Sequence, residues 1–278
     1  MSANSPRLLI AGCGDLGIRL AGRLVDWQVH GLRRRVEVLP STIVPEPFDL
    51  GDADSLAGLA LDWDAIVYTA TPSARDEAAY RRAYVEGLDR LLERVQCKRL
   101  IFVSSTAVYG QDDGAWVDED SPTEATAFNG RIVREAEQLA QSAGGRVVRF
   151  SGIYGPGRTW MLRQAQAGAV ACRREPPQWT NRIHADDCAA VLDHLLKLEN
   201  PDALYVASDR EPATRWDVLS WLAERLGVPG PVEEHAAGGQ GKRVSSRRLV
   251  DSGFEFAYPD FRAGYAELID QEIRNAHE

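Results

Sequence analysis

The chain has 278 residues and a formal net charge of −9, with 44% hydrophobic and 26% charged residues, as is usual for a globular protein with a core. Such an acidic chain is a poor candidate for broad capture of nucleic acid, and no segment approaches the roughly 20 apolar residues of a membrane span. The four cysteines have no Cys-x-x-Cys spacing and predict no metal site, and the N-terminal residues lack the pattern of a secretory signal. We therefore expect a cytoplasmic protein whose partner is a small-molecule substrate, not nucleic acid or membrane.

Up to about residue 151, predicted strands and helices alternate, which indicates a parallel sheet covered on both faces. The predicted strands are Leu8–Ala11, Gln28–Arg33, Ile43–Phe48, Ala65–Ala70, Arg99–Ser104 and Arg146–Ser151. The predicted helices are Asp15–Asp26, Asp54–Leu61, Asp76–Gln96 and 128–143. Connections of this length are nearly always right-handed crossovers, so the pattern predicts a doubly wound α/β sheet.

A glycine-rich turn, Gly12-x-Gly14-x-x-Gly17, follows the first strand. Gly12 permits the tight turn, Gly14 lets the backbone approach a diphosphate, and Gly17 lets the next helix pack on the strand. Asp15 and Leu16 begin that helix, whose free N–H groups and positive dipole end would face the phosphates. The strand before the turn and the helix after it favour a dinucleotide site over a chance cluster of glycines.

The end of the second strand distinguishes NAD from NADP. An acidic residue there would accept hydrogen bonds from the ribose and repel a 2′-phosphate. The position falls on Arg33, which Arg34 and Arg35 follow, and a guanidinium matches the geometry of a phosphate. We predict NADP(H); the alternative is a solvated basic run, which would equally leave no carboxylate to favour NAD.

Three further motifs come later in the chain: Ser104-Ser105-Thr106-Ala107-Val108-Tyr109-Gly110, Arg149-Phe-Ser-Gly-Ile-Tyr-Gly-Pro-Gly-Arg158 and Asn181-Arg-Ile-His184-Ala-Asp-Asp187. Together with the glycine turn, they resemble motifs of the extended and atypical short-chain dehydrogenase/reductases, a family that includes sugar-nucleotide epimerases and dehydratases. The resemblance covers most of the chain. It implies a Rossmann-type doubly wound parallel sheet with a smaller C-terminal substrate lobe.

The composition changes after residue 151, where glycine, proline and tryptophan become frequent and the predicted elements shorten. We expect residues 1–151 to form the NADP-binding domain, with 180–207 contributing to it. Residues 152–179 and 208–278 would then form the smaller substrate-binding lobe.

The resemblance also implies further cofactor residues. The pair after the third strand would contact the adenine ring, although Asp49 could equally be a turn residue. The residues after the fourth strand lie where the family's backbone lines the ribose. The positions assigned to the cofactor in these ways are Asp49, Leu50, Ala70, Thr71, Pro72 and Ser104.

The resemblance fails at the catalytic centre. In the family a Ser orients the reacting oxygen, a Tyr transfers the proton, and a Lys four residues later lowers the Tyr pKa. Ser105 matches the Ser, but Asn129 and Val133 occupy the other two positions, and 128–143 contains neither Tyr nor Lys. Tyr109 is therefore the candidate acid or base beside Ser105.

Three residues are candidates for substrate binding. Arg158, after the Gly-Pro-Gly turn, could hold an anionic group, and Asn181 and His184 belong to a segment that shapes the substrate pocket in the family. His184 is flanked by Ile183 and acidic residues, a setting that fits a structural hydrogen-bonding role equally well.

The sequence thus predicts an NADP(H)-binding oxidoreductase, or an epimerase/dehydratase-like protein, that acts by hydride transfer on a substrate for which a sugar nucleotide is the family default. A non-catalytic NADP(H)-binding redox sensor or regulatory protein is the alternative, because the Tyr and Lys are missing. Family members often form homodimers through a helix pair, and no apolar stripe in this sequence decides that point.

Overall fold

The computed structural model describes residues 5–275 and contains a central parallel sheet. The strands are β1 (Arg7–Ala11), β2 (Gln28–Leu32), β3 (Val44–Glu46), β4 (Asp62–Tyr68), β5 (Gln96–Ser105), β6 (Trp116–Val117), β7 (Arg146–Phe150), β8 (Gly152–Tyr154), β9 (Ala171–Cys172), β10 (Trp179–Thr180), β11 (Arg182–His184), β12 (Leu204–Ala207), β13 (Ala213–Thr214), β14 (Val232–Glu233) and β15 (Arg243–Val244). The central sheet has seven strands in the order β12-β7-β5-β4-β1-β2-β3. This arrangement confirms the predicted doubly wound α/β sheet.

The helices connect and cover these strands. They are α1 (Asp15–Ala21), α2 (Glu77–Arg81), α3 (Gly87–Arg94), α4 (Phe128–Ser142), α5 (Trp160–Ala167), α6 (Ala185–Lys197), α7 (Arg215–Leu226), α8 (Arg247–Asp251) and α9 (Phe261–Asn275). Short 3-10 turns span Val36–Val38, Ser55–Gly58 and Thr106–Val108, and a π-helical turn spans Arg82–Glu86. Within residues 5–275, no helix combines the length and the apolar character needed to cross a bilayer.

Three predicted helices differ from the structure. The first ends at Ala21 and not at Asp26, because Gly22 caps it and glycine is a poor helix former. The segment predicted as a helix from Asp54 forms only a 3-10 turn, and the Asp54 side chain makes no cap. The helix predicted over Asp76–Gln96 begins with a true cap, since Asp76 accepts from the Ala79 N–H, but the π-helical turn divides it.

The chain divides into two compact units. The first contains the described residues up to 109, with 123–149 and 188–205. Its core includes β1, whose residues Leu8, Leu9 and Ile10 are fully buried. A continuous apolar run of this kind is expected for a central strand covered on both faces.

The second unit comprises 110–122, 150–187 and the described residues from 206 onward. Parallel pairing joins β11 to β8 and β15 to β6, and a core around Phe261, Leu222 and Leu162 packs its helices together. That this unit binds substrate stays a prediction.

Candidate functional site

The carboxyl ends of β1, β2 and β4 meet at one edge of the sheet, where Ala11 pairs with both Leu32 and Tyr68. The glycine turn begins at this point. The N–H groups of Gly12 and Cys13 both donate to the Leu32 carbonyl at 3.0 Å. The hydroxyl of Thr69 donates to the Gly12 carbonyl at 3.0 Å. The turn is therefore held by the Leu32 carbonyl of β2 and by the side chain of Thr69, the residue that follows β4.

Each glycine of the turn has different surroundings. Gly12 has a φ of +83°, and a Cβ there would lie 2.4 Å from the Cα of Ala70. A Cβ on Gly17 would lie 2.8 Å from a methyl carbon of Ile10, so this glycine lets α1 pack on β1. A Cβ on Gly14 would meet no atom closer than 3.8 Å. Gly14 therefore leaves open space beside the turn.

That open space is part of a cavity of about 490 Å³, which we call the sheet-edge cavity. It is formed within the first unit by the turn and by the segments that follow β2, β3 and β4. The predicted cofactor residues that line it are Gly12, Gly14, Arg33, Arg34, Asp49, Leu50, Ala70 and Thr71. The structure thus brings together residues up to 59 positions apart in the chain.

The cavity wall after β2 is cationic. The Arg33 side chain donates to the Cys13 carbonyl at 3.0 Å, which fixes it against the glycine turn. Arg34 and Arg35 also line the cavity and are exposed, and neither has an ion-pair partner among the described residues. Asp49 also lines the cavity, and its carboxylate accepts from the Gly51 N–H at 2.8 Å, as in a turn residue. Three guanidinium groups are therefore available to an anion at this wall.

Five positions predicted to contact the cofactor do not line the sheet-edge cavity in the described structure. Asp15 is exposed and forms an ion pair with Arg19 at 3.0 Å. Ser104 is buried and donates to a Glu137 carboxylate oxygen at 2.5 Å. The five positions are Asp15, Leu16, Gly17, Pro72 and Ser104.

Ser104 and Ser105 differ because successive side chains of a strand point to opposite faces. Ser104 faces the interior, whereas Ser105 is half-buried at the end of β5. The Ser105 hydroxyl oxygen accepts from the Ala107 N–H at 3.2 Å. A serine hydroxyl also carries one hydrogen to donate, so Ser105 can orient an oxygen of a bound molecule.

Sequence reasoning missed a charged network in the first unit. Glu137 on α4 is fully buried and accepts two hydrogen bonds from Arg149, both at 2.7 Å. The same carboxylate accepts from Ser104 and, at 3.0 Å, from Arg134. Arg149 is the first residue of the motif that ends at Arg158. A charged residue at an otherwise apolar strand position was the sequence signal that could have indicated this buried network.

Tyr109 is part of this network. It is 2% exposed, and its hydroxyl accepts a hydrogen bond from Arg149 at 2.9 Å. The guanidinium of Arg149 also lies 5.0 Å from the centre of the Tyr109 ring. These contacts favour a structural role for this phenol over proton transfer. On α4, Asn129 is half-buried and Val133 is buried, so neither position that matches the family's Tyr and Lys has a titratable side chain.

The substrate candidates all lie in the second unit. Asn181 uses both ends of its amide, since its oxygen accepts from the Val244 N–H and its nitrogen donates to the Lys242 carbonyl, each at 2.8 Å. This arrangement gives Asn181 a structural role in fixing β15. Arg158 is exposed in a tight turn, where its backbone N–H donates to the Gly155 carbonyl at 2.8 Å.

His184 is 2% exposed, and its ring centre lies 3.8 Å from that of Tyr258. Its Nδ1 accepts from the Asp186 N–H at 3.3 Å. The two carboxylate oxygens of the neighbouring Asp187 accept from the N–H groups of Ala257 and Tyr258. The burial and contacts of His184 therefore fit the structural hydrogen-bonding role that was the alternative to substrate binding.

The sheet-edge cavity also has a wall that sequence reasoning did not identify. This wall consists of Ala79, Arg82 and Ala83, which come from α2 and the π-helical turn. The sequence signal for this wall was the spacing of two small residues, Ala79 and Ala83, which lie four positions apart with Arg82 between them. They belong to a segment that was predicted as one uninterrupted helix.

Comparisons with known proteins cover nearly the whole chain. Residues 8–207 match the sequence profile of the NAD dependent epimerase/dehydratase family. Protein YeeZ of Escherichia coli (strain K12) is 30% identical over 273 residues, which cover 91% of this chain and 97% of YeeZ. A 3-diazoavenalumate denitrifying reductase of Streptomyces sp is 28% identical over 257 residues, or 81% of this chain and 83% of that protein.

A solved structure gives the same result for the fold. It is that of a Methylobacillus flagellatus protein assigned to the NAD-dependent epimerase/dehydratases, with 37% sequence identity and a TM-score of 0.83. The alignment covers 97% of this chain and 99% of that one.

Proposed function

We propose a function from the premise that this chain belongs to the NAD dependent epimerase/dehydratase family: it binds NADP(H) and reduces a carbonyl group of a small organic substrate, or oxidises the matching carbinol. Membership of this family confirms the resemblance that the motifs indicated. The preference for NADP(H), the reaction and the substrate are the parts that we propose.

The sheet-edge cavity is the observation that carries the proposal. Gly14 presents backbone without a Cβ on one side, as the diphosphate of a dinucleotide requires. Arg33, Arg34 and Arg35 supply cations at the end of β2, where an NAD-specific site would have a carboxylate. The residues present therefore fit a dinucleotide with an additional phosphate on its adenosine ribose.

When bound, NADP(H) would supply or accept the hydride. The chain's own contribution would be to hold the reacting oxygen, and Ser105 is suited to this because its hydroxyl hydrogen remains available after the bond from Ala107. Reduction of the carbonyl also requires one proton on the oxygen. The family's phenol is missing, and Tyr109 is bonded to Arg149 in the interior, so a different group must deliver that proton.

One relative supports the proposed reductase activity, but not a particular substrate. The Streptomyces relative is described as a reductase, and at 28% identity its substrate does not transfer to this chain. The sugar-nucleotide substrate expected for the family stays a proposal, and Arg158 is one exposed cation of the second unit that could meet its diphosphate.

Turnover of NADPH with a panel of aldehydes, ketones and oxidised sugar nucleotides tests the proposal. We expect slow, carbonyl-dependent oxidation of NADPH that Ser105→Ala lowers by about 10²-fold or more, the range for losing one positioned donor. Binding of NADPH should survive in this variant. Equal turnover by wild type and Ser105→Ala would contradict the role of Ser105.

A non-catalytic NADP(H) sensor is the second candidate, and the absence of a titratable side chain at Asn129 and Val133 favours it. A sensor would bind NADPH without consuming it in the presence of any carbonyl in the panel. Its bound state would instead change the oligomeric state or partner binding, which sedimentation with and without NADPH would detect.

A further inference from the structure

The π-helical turn gives the sheet-edge cavity its second arginine-bearing wall. In this turn the Gly87 N–H donates to the carbonyl of Arg82, five residues back, where an α-helix would use Ala83. The hydroxyl of Tyr68 donates to the Ala83 carbonyl at 2.5 Å. Strand β4 therefore holds the turn in place, and the turn brings Arg82 and Ala83 to the cavity.

The segment after β3 packs on the same helical wall. A Cβ on Gly87 would lie 3.4 Å from the Cβ of Leu50, and Arg90 donates to the Leu50 carbonyl at 3.4 Å. The side chains of Leu50, Ala79 and Ala83 thus give this part of the cavity small and apolar surfaces. Such a wall suits the face of a flat ring better than a phosphate.

Arg82 lies on this apolar wall, whereas Arg33, Arg34 and Arg35 lie at the end of β2. Its side chain is exposed and, in the part of the chain that the structure describes, forms neither an ion pair nor a hydrogen bond. A guanidinium is planar and weakly hydrated, so it stacks on aromatic rings in a way that an ammonium does not. Arg82 can therefore stack on a purine ring that lies against the small and apolar side chains of this wall.

We propose that Arg82 stacks on the adenine ring of the bound dinucleotide, a contact separate from the 2′-phosphate contacts of the β2 arginines. The inference rests on the proposed binding of a dinucleotide in the sheet-edge cavity. It assigns the adenine to the helical wall and the additional phosphate to the cationic wall after β2.

Calorimetric titration of wild type, Arg82→Ala and Arg82→Lys with NADPH, NADH and ADP tests this assignment. ADP has neither nicotinamide nor a 2′-phosphate, so it reports on the adenosine and diphosphate part of the dinucleotide, and Arg82→Lys separates a ring contact from a contact to the diphosphate. We expect both variants to bind all three ligands more weakly by a similar factor, roughly fivefold for a partly exposed stacked cation. Arg81→Ala is the matched control, because Arg81 is the adjacent residue, at the end of α2, and pairs with Glu135 at 2.8 Å outside the cavity.

Three results would overturn the inference. They are unchanged ADP binding in Arg82→Ala, a loss confined to NADPH, and full retention of affinity by Arg82→Lys, which would identify a charge contact to phosphate. The proposed preference for NADP(H) is wrong on a separate result: wild type binds NADH as tightly as NADPH, while the Arg82 variants still bind ADP more weakly than wild type does. If wild type binds none of the three ligands, both proposals are wrong.

Discussion

Gly12 and Gly14 belong to one turn but face different constraints, and substitution with alanine separates them. Gly12→Ala would place a Cβ 2.4 Å from the backbone of Ala70 at a φ of +83°. We expect it to destabilise the fold by more than the roughly 1–3 kcal/mol of the backbone strain alone. Gly14→Ala meets no atom within 3.8 Å, so its melting temperature should stay near that of wild type while its NADPH affinity falls at least tenfold, about 1.4 kcal/mol.

Thermal unfolding and NADPH titration of the two variants check this contrast. A Gly14→Ala protein that is stable and binds NADPH normally would show that the diphosphate does not approach this turn.

Single residues were predictable where the signal was local. The glycine turn and Arg33 could be located from the sequence because a strand and a helix flank the turn within a few positions. Ser104 could not be placed correctly, because it was assigned from a motif shared with Ser105 while the strand directs the two side chains to opposite faces.

At the scale of elements, the buried Glu137 joins helix α4 to strands β5 and β7 through Ser104 and Arg149. Glu137→Gln would leave the buried Arg149 without its counter-ion. We expect a loss of about 3–5 kcal/mol in the free energy of unfolding, as for other broken buried ion pairs. Urea denaturation measures it. Glu135→Gln, which removes an exposed partner on the same helix, should cost less than about 1 kcal/mol.

An equal, small effect of both substitutions would mean that the buried network does not stabilise the fold. Arg149 within an apolar strand was the one sequence signal of this network, and it could not identify the partners, because they come from segments up to 45 residues apart. The periodicity of the segment Asp76–Gln96 similarly predicted one helix. The π-helical turn at Arg82–Glu86 depends on the hydroxyl of Tyr68, which a helical pattern cannot reveal.

For the molecule as a whole, Asp209 in the second unit should make stability depend on pH. It is 1% exposed, so its carboxylate is withdrawn from water. Burial raises its pKa to about 8, although the charge of Arg182 and the backbone N–H of Glu211 oppose the shift. Between about pH 4 and pH 8 the folded state keeps a proton that the unfolded chain releases, so this group makes the fold less stable as the pH rises through that range.

Asp209→Asn removes this effect while keeping the shape of the side chain. We expect the variant to gain stability over wild type from about pH 5 upward, at no more than about 1.4 kcal/mol per pH unit, with a plateau above pH 8. Urea denaturation at a series of pH values measures the difference. Parallel profiles for the two proteins would mean that Asp209 is already ionised in the fold.

For the whole molecule, the sequence predicted the central sheet. The central sheet follows from the alternation of strands and helices, each a local pattern. The second unit also contains 110–122, where β6 pairs with β15 through partners such as Trp116 and Arg243. Two strands of two residues each, 127 positions apart, have no periodicity to predict their pairing.

All of these proposals depend on the binding of a dinucleotide with an additional phosphate in the sheet-edge cavity. A fluorescence titration of the purified protein with NADPH and, separately, NADH measures this binding. We expect saturable binding of NADPH and at least tenfold weaker binding of NADH, a difference of about 1.4 kcal/mol. Equal affinity would contradict the role of Arg33 and its neighbours, and binding of neither dinucleotide would contradict both the oxidoreductase and the sensor.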